Sequence, residues 1–193
     1  MIRSDIVIRP EVPADFPVIR ELVIRTFTEH TPYSDGTDVV ALIDEIRHGR
    51  FYRPELSFVA ELDGQIVGHF MFSDFPLSPS PEGGYDPKAK PELLMLAPVA
   101  VHADFYRQGI GETMLRLGLE IARKTGCKGI NVEGDYHFYN RLGFVTSTQY
   151  GIHATSGFPL EEPRCMMVQE AYPGSLEGVS GYIVYDMYEN LCE

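Results

Sequence analysis

Among the segments of this chain, a short glycine loop has the residue types and spacing that most directly indicate ligand binding. It reads Tyr106-Arg107-Gln108-Gly109-Ile110-Gly111, and an apolar stripe that begins at Ile110 and recurs at helical spacing indicates that a helix starts there. Glycine lets the backbone approach a ligand closely, and the N–H groups at a helix start favour anionic groups. The loop therefore predicts a site for phosphate or pyrophosphate, although two such glycines also suit a tight turn that binds nothing.

Two common phosphate-binding patterns do not fit the loop. The dinucleotide fingerprint G-x-G-x-x-G needs a third glycine where this chain has Met114, and the nucleoside-triphosphate loop needs Gly-Lys-Ser or Gly-Lys-Thr, which the sequence lacks. The serine-hydrolase elbow G-x-S-x-G and the His-Glu-x-x-His metal motif are missing as well. A serine hydrolase or a metalloenzyme therefore finds no support in the sequence.

The elements around the loop place it between two predicted strands. Residues 93–101 form an apolar run interrupted by Pro98, which predicts a buried strand. The helix after the loop is expected to end at Lys124-Thr125-Gly126, because a basic last turn followed by glycine is a typical helix stop. A second strand is predicted at residues 129–133. Strands joined through a helix in this way are parallel, with a right-handed crossover.

Apolar periodicity and turn residues predict the remaining elements. Helices are expected from residue 16 to near residue 27, from a cap at Thr37 or Asp38 to Gly49, and in a short segment after Asp135. Asp63-Gly64 predicts a tight hairpin turn between two strands. The further strands are expected at residues 5–9, 57–62, 65–73, 145–150 and 165–171, the last two antiparallel, and residues 182–185 suit a final strand or an arm on a partner subunit.

The length and composition predict one folded domain over residues 1–193, because 44% of the residues are hydrophobic. The 28 acidic and 16 basic residues give a formal net charge of -12, which argues against a nucleic-acid partner. The charge suits a cationic partner such as an amine, but general acidity without such a partner is the more common case. Cys127, Cys165 and Cys192 follow no metal or disulfide pattern, so reduced thiols in the cytoplasm are expected. The sequence shows no signal peptide or membrane span, and no membrane partner is expected.

Four segments occur in the order and spacing of a known family. They are residues 96–102, the glycine loop, Gly126-Cys127 and residues 138–144. Together they resemble the GNAT superfamily of acyl-CoA-dependent N-acetyltransferases, and the resemblance is closest to the YhbS-like bacterial predicted acetyltransferases. The loop pattern of the family is Gln/Arg-x-x-Gly-x-Gly/Ala, so Tyr106 departs from it at the first position.

The resemblance implies a mixed α/β (α+β) fold with a central, mostly antiparallel, splayed sheet and helices on both faces. It also implies acetyl-CoA as the donor, no metal, and direct attack by the acceptor amine in a ternary complex. The central strand would bind the pantetheine arm, and the glycine loop with the first helical turn would bind the pyrophosphate. The residues assigned to the coenzyme are Val99, Ala100, Val101, Tyr106, Arg107, Gln108, Gly109, Ile110, Gly111 and Glu112, together with Tyr139.

Tyr139 is the catalytic acid that the resemblance implies, because it lies four residues before Gly143, where a tyrosine of the family protonates the coenzyme A sulfur. Its phenol, with an ordinary pKa of about 10, is protonated at physiological pH; the alternative is a core aromatic residue. Glu133 is the predicted base, acting through a water. Asn131 faces the same side of the strand. Glu29 competes for the role of base, and Glu133 also suits a solvated surface position.

The segment that joins the first two helices borders the acceptor site in this family. Glu29, His30 and Tyr33 are therefore the predicted substrate contacts, and the acceptor is a primary amine of a small molecule or a peptide. The alternative function is a non-catalytic module of the same fold that binds or senses acyl-CoA. A homodimer is a further expectation, because the C-terminal arm at residues 172–193 could be exchanged with a partner subunit.

Overall fold

Helices and strands account for most of the residues that the structure describes. The computed structural model describes residues 3–31, 34–155 and 163–188. Its helices are α1 (Phe16–His30), α2 (Thr37–His48), α3 (Ile110–Arg123) and α4 (Tyr136–Tyr139). Its strands are β1 (Ile6–Pro10), β2 (Ser57–Leu62), β3 (Gln65–Phe75), β4 (Leu93–Val101), β5 (Gly129–Glu133), β6 (Val145–Thr146), β7 (Ile152–Ala154), β8 (Met166–Glu170) and β9 (Gly181–Ile183). In this part of the chain, no helix has the length and apolar character needed to cross a membrane.

The chain divides into two compact units. The first contains the described residues of 1–72 and 97–121, and the second contains those of 73–96 and 122–193. Strands β3 and β4 each begin in one unit and end in the other, so the chain passes between the units within regular structure. A single domain over residues 1–193 stays a prediction.

In the first unit, β1, β2 and β3 form an antiparallel sheet and β4 lies next to β3. Phe58 pairs with Phe70, and their rings lie 5.2 Å apart in the core. Asp63 and Gly64 form the turn between β2 and β3, with φ of 52° and 79°. Two residues with positive φ are what a tight hairpin turn requires, so the predicted hairpin is confirmed.

Helices cover both faces of β3 in the first unit. Phe70 faces α3 so closely that a Cβ atom at Gly118 would lie 2.3 Å from its ring. His69 points to the opposite face, because successive strand residues alternate. There it contacts Glu11, which forms an ion pair with Arg47 of α2. The predicted sheet, mostly antiparallel and with helices on both faces, is confirmed within this unit.

Glu11 is a buried carboxylate that joins the end of β1 to α2 and β3. Arg47 donates to both of its oxygens, at 3.0 and 2.7 Å, the Tyr52 hydroxyl donates at 3.0 Å, and His69 Nε2 lies 3.0 Å away. Burial alone would raise the pKa of Glu11, but the hydrogen bonds from His69 and Arg47 and the charge of Arg47 lower it well below its ordinary value. Burial lowers the pKa of His69 despite the neighbouring carboxylate, so the imidazole is neutral near pH 7.

In the second unit, the sheet has the order β4-β5-β8-β6. Residues 93–95 of β4 pair in parallel with residues 129–131 of β5, as predicted. Strand β8 is antiparallel to both β5 and β6. Strand β6 is shorter than the predicted strand at residues 145–150, because Ser147–Tyr150 forms a 3-10 helix that ends at Gly151 with φ of 70°.

The C-terminal tail forms a strand within this chain. Strand β9 runs parallel to β7, and Ser78 and Tyr182 exchange two backbone hydrogen bonds of 2.9 Å. The Gly84 N–H donates to the Asp186 carboxylate at 2.8 Å. These contacts hold the tail and the loop after β3 together in the second unit. Exchange of the arm between subunits stays a prediction, and Cys192 lies outside the described residues.

Replacing Glu11 with Gln removes the buried charge and keeps the side-chain shape. We expect the free energy of unfolding at about pH 7 to fall by about 3 kcal/mol, because Arg47 is left buried without its main partner. Since the folded pKa of Glu11 is lowered, its stabilisation is complete above the ordinary value of about 4.3 and is lost as the pH falls below it. The variant should therefore lose less stability as the pH falls below about 4.3, which denaturant unfolding at several pH values measures.

Glu61→Gln is the matched control, because Glu61 pairs with Arg9 at 2.8 Å with side chains 26% and 34% exposed. A pair of this exposure contributes at most about 1 kcal/mol. The lowered pKa of His69 also destabilises the fold below about pH 6.5. This component should persist in Glu61→Gln and grow in Glu11→Gln, because Glu11 raises the pKa of His69. Equal losses from the two substitutions would contradict the assignment of Glu11 as the charge that ties α2 to the sheet.

Candidate functional site

The glycine loop presents a row of backbone N–H groups ahead of α3. Arg107 and Gly109 have positive φ, 60° and 80°, and the Thr113 N–H donates to the Gly109 carbonyl at 3.0 Å as the helix begins. Among the described residues, none accepts a hydrogen bond from the backbone N–H groups of residues 107–111. A Cβ atom at Gly109 would meet no atom within 4 Å. Unpaired N–H groups at a helix start suit an anionic ligand.

Two polar contacts from α1 hold the end of β4 and the approach to the loop. The Thr26 hydroxyl is buried and donates to the Val101 carbonyl at 2.8 Å. Arg25 donates to both oxygens of Asp104, at 3.0 and 2.5 Å. A bidentate arginine–carboxylate pair fixes direction as well as distance. The loop is therefore positioned by a helix that precedes it in sequence by more than 70 residues.

Tyr106, the residue that departs from the family's loop pattern, has a defined contact. Its ring stacks on His30 at the end of α1, with centroids 4.1 Å apart and planes inclined by 17°. The Tyr106 side chain remains 47% exposed. Stacking of this kind adds about 1 kcal/mol beyond the area that is buried. Through this stacking, Tyr106, the first residue of the loop, packs against the end of α1.

Two predicted acceptor contacts are not on a loop. Glu29 and His30 lie in the last turn of α1, which is one turn longer than predicted. The helix ends two residues before Pro32, and the residue between them is extended, as proline requires of the residue before it. Glu29 is exposed and accepts a hydrogen bond from Arg25 at 2.9 Å. Tyr33 lies outside the described residues.

The other predicted coenzyme residues of the first unit lie on β4 and along the loop. Ala100 is buried and its neighbours are half-buried on β4, where the predicted pantetheine contacts are Val99, Ala100 and Val101. The Gln108 side chain donates to the Asp104 carbonyl at 3.1 Å. Glu112 accepts from Arg116 at 2.9 Å, one helical turn later. Both polar side chains therefore have partners inside the loop and helix.

Tyr139 lies in α4 in the second unit. Asp135 accepts from the His137 N–H at 2.9 Å and so caps the helix as predicted. The Tyr139 ring is 8% exposed and meets Phe138 and Phe144 edge to face, at 5.1 and 5.7 Å. Burial raises the pKa of Tyr139, so its phenol stays protonated at physiological pH. A buried neutral phenol can serve as a proton donor.

Glu133, at the end of β5, has a partner that the sequence did not reveal. The Tyr185 hydroxyl donates to Glu133 Oε2 at 3.0 Å. Burial raises the pKa of Tyr185 well above its ordinary value, so it remains a neutral donor. The Tyr185 ring meets Phe75 edge to face at 5.8 Å. The only sequence signal was the aromatic run at residues 182–185, which indicated a strand and gave no sign of this contact.

Each unit carries reactive groups of its own. The first presents N–H groups that suit an anionic ligand. The second presents a neutral phenol at Tyr139 and, separately, a carboxylate at Glu133 that accepts a hydrogen bond from Tyr185. A neutral phenol and a carboxylate are groups that can give and take protons.

The sequence is similar to a described family and to two curated relatives. The model of the acetyltransferase (GNAT) family matches residues 17–144, which include parts of both units. The uncharacterised N-acetyltransferase YjhQ of Escherichia coli K12 is 32% identical over 168 residues, 86% of this chain and 85% of that protein. The uncharacterised N-acetyltransferase YhbS of the same strain is 27% identical over 95% of this chain and 98% of that protein.

Solved structures extend the similarity to the fold. The crystal structure of the YhbS acetyltransferase of Escherichia coli in complex with CoA is 25% identical, with a TM-score of 0.73 over 92% of this chain and 88% of that one. A GNAT family acetyltransferase from Brucella melitensis in complex with acetyl-CoA is 25% identical, with a TM-score of 0.64 over 89% of this chain and 91% of that one. Both likenesses cover nearly the whole length of the chains compared.

Proposed function

Because the chain belongs to the acetyltransferase (GNAT) family, we propose that it is an N-acetyltransferase that moves the acetyl group of acetyl-CoA to a primary amine of a small molecule or a peptide. The observation that carries the proposal is the row of N–H groups at residues 107–111, ahead of α3. Coenzyme A carries a pyrophosphate, and a helix start with unpaired N–H groups is suited to it. The relatives solved with CoA and acetyl-CoA support the same ligand.

In the proposed complex, the pyrophosphate is held through backbone groups more than through side chains. Gln108 and Glu112 already have partners, and Gly109 leaves the backbone open. The pantetheine arm is proposed to lie along the end of β4 at residues 99–101. Thr26 would fix the position of that strand end through its hydrogen bond to the Val101 carbonyl.

The proposed reaction is direct transfer in a ternary complex. The amine nitrogen attacks the thioester carbonyl carbon, the new C–N bond forms, and the C–S bond breaks. Tyr139 donates its proton to the departing thiolate, which leaves as the thiol of coenzyme A, and the N–H proton released by the newly acylated nitrogen restores the phenol. The high pKa of the buried Tyr139 phenol ensures that this proton is present at physiological pH.

The amine must lose a proton, since an alkyl ammonium group has a pKa of about 10.4, like lysine. Glu133 is the proposed base, acting through a water. Its hydrogen bond from Tyr185 would hold the carboxylate in one orientation, and a fixed orientation favours catalysis because less freedom is lost in the transition state. Tyr185 is therefore proposed as a positioning residue for the base.

The cytoplasm is the proposed location, on the strength of the three cysteines without a disulfide or metal pattern. A homodimer remains a proposal that sedimentation of the purified chain can test.

Gly109→Asp should weaken acetyl-CoA binding by about 100-fold or more, because a carboxylate at this position would face the pyrophosphate. Gly64→Asp is the matched control. Gly64 has nearly the same φ, 79° against 80°, and the same empty space around a Cβ atom, but it lies in the β2–β3 turn. Titration calorimetry measures affinity, and thermal unfolding shows whether the two variants are equally stable. Equal loss of affinity in both would contradict the proposed pyrophosphate site.

Tyr139→Phe should lower kcat by about 100-fold or more and leave the Kd for acetyl-CoA unchanged, because the proton donor is lost and the ring is kept. Tyr136→Phe is the control in the same helix, since the guanidinium of Arg164 lies 4.2 Å from the Tyr136 ring and a phenylalanine keeps that contact. Steady-state rates with a panel of amines test the pair. Full turnover in Tyr139→Phe would contradict the proposed role of Tyr139 as the acid. If the unaltered protein binds acetyl-CoA but shows no turnover, the alternative function as a sensing module is favoured.

A further inference from the structure

Asn131 is a buried amide that has no hydrogen-bond partner among the described residues. It lies in the middle of β5, next to Met95 of β4 and Val168 of β8, and it is 0% exposed. Neither its Oδ1 nor its Nδ2 atom makes a hydrogen bond to the part of the chain that is described. Burying such a group without a partner is unfavourable, and native structures do so rarely.

The Asn131 side chain shares a face of the sheet with Glu133. The two residues are two apart on one strand, so their side chains project to the same side about 7 Å apart. The C-terminal tail approaches this face at both ends: Tyr185 donates to Glu133, and Leu176 lies 2.7 Å from where a Cβ atom of Gly129 would be. On this face of β5, Asn131 therefore lies between Gly129, which packs against Leu176, and the Glu133 carboxylate.

Gln169 is a buried amide of the same sheet whose oxygen and nitrogen both have hydrogen-bond partners. It lies on β8 opposite Ile130, so its side chain projects to the other face. Its Oε1 accepts from Arg123 at 2.7 Å, and its Nε2 donates to the Leu142 carbonyl at 2.7 Å. Both ends of this amide are satisfied within the second unit, in contrast to both ends of Asn131.

We propose that Asn131 and Glu133 form a subsite that recognises an acceptor carrying a carboxamide or peptide group close to its amine. Glu133 faces the amine through the water of the proposed mechanism, and Asn131 binds the amide through its unpaired oxygen and nitrogen. The inference rests on the proposed function and narrows its substrate class to amino amides, either as small molecules or as the amino-terminal unit of a peptide.

The donor and acceptor pattern of Asn131 selects this class over other amines. A carboxamide supplies one N–H donor and one C=O acceptor in the same plane, so it satisfies Oδ1 and Nδ2 together. A free carboxylate supplies acceptors alone, would leave Oδ1 unpaired and would be repelled by Glu133. A plain alkylamine would leave both Asn131 atoms unpaired. Sites built around hydrogen bonds discriminate strongly against ligands that lack the matching group.

The test compares alaninamide with isopropylamine, which has the same amine and lacks the carboxamide, in titrations of the protein saturated with coenzyme A. We expect alaninamide to bind at least about tenfold more tightly. In Asn131→Leu the two ligands should bind equally. A trialanine amide distinguishes the two sources, since tighter binding than alaninamide indicates a peptide acceptor and weaker binding indicates a small one.

Gln169→Leu is the control that separates recognition from structure. Because Asn131 has no bonds to lose, Asn131→Leu should unfold at the temperature of the unaltered protein or above it, whereas Gln169→Leu should unfold earlier and keep the ligand preference. An Asn131→Leu variant that keeps the preference, or one as destabilised as Gln169→Leu, would overturn the proposal. Unaltered protein that binds coenzyme A, acetylates both amines and shows no preference would refute the subsite alone, whereas failure to bind coenzyme A would refute the proposed function.

Discussion

Most buried hydrogen-bonding groups in a folded chain have a partner, and the groups without one are candidates for binding a ligand. Glu11 accepts hydrogen bonds from Arg47, Tyr52 and His69, and these bonds join β1, α2 and β3. The N–H groups at residues 107–111 have no such partners among the described residues. The Glu11 carboxylate is thus saturated within the scaffold, whereas the open N–H groups of the loop are where a ligand is proposed to bind.

The scaffold positions the open groups through contacts that are distant in sequence. Thr26 holds the end of β4, Arg25 holds the approach to the glycine loop, and His30 stacks on Tyr106. The last turns of α1 thus control the direction of both the strand end and the loop. This accounts for how a tyrosine is accommodated where the family pattern has glutamine or arginine: the loop keeps its backbone geometry, and the ring supplies an anchor.

The sequence predicted the features that depend on neighbouring residues. The Asp63-Gly64 hairpin, the loop ahead of α3 and the Asp135 cap of the helix that carries Tyr139 all follow from local backbone preferences. The contact of Glu11 with His69 joins residues 58 apart, and that of Tyr185 with Glu133 joins residues 52 apart, and apolar periodicity carries no information on such pairs. The extra turn of α1 was missed because polar residues before Pro32 suit a loop and a helix end equally well.

The central claim is that backbone N–H groups of the glycine loop hold the pyrophosphate of acetyl-CoA. Calorimetric titration of the unaltered protein and of Gly109→Asp with acetyl-CoA and with S-acetylpantetheine, which carries the same thioester but lacks the pyrophosphate and the adenosine 3′-phosphate, tests it most directly. We expect one molecule of acetyl-CoA to bind per chain, and S-acetylpantetheine to bind at least about 100-fold more weakly, because the charged contacts are lost. In the unaltered protein, equal affinities, or no binding of acetyl-CoA, would contradict the account.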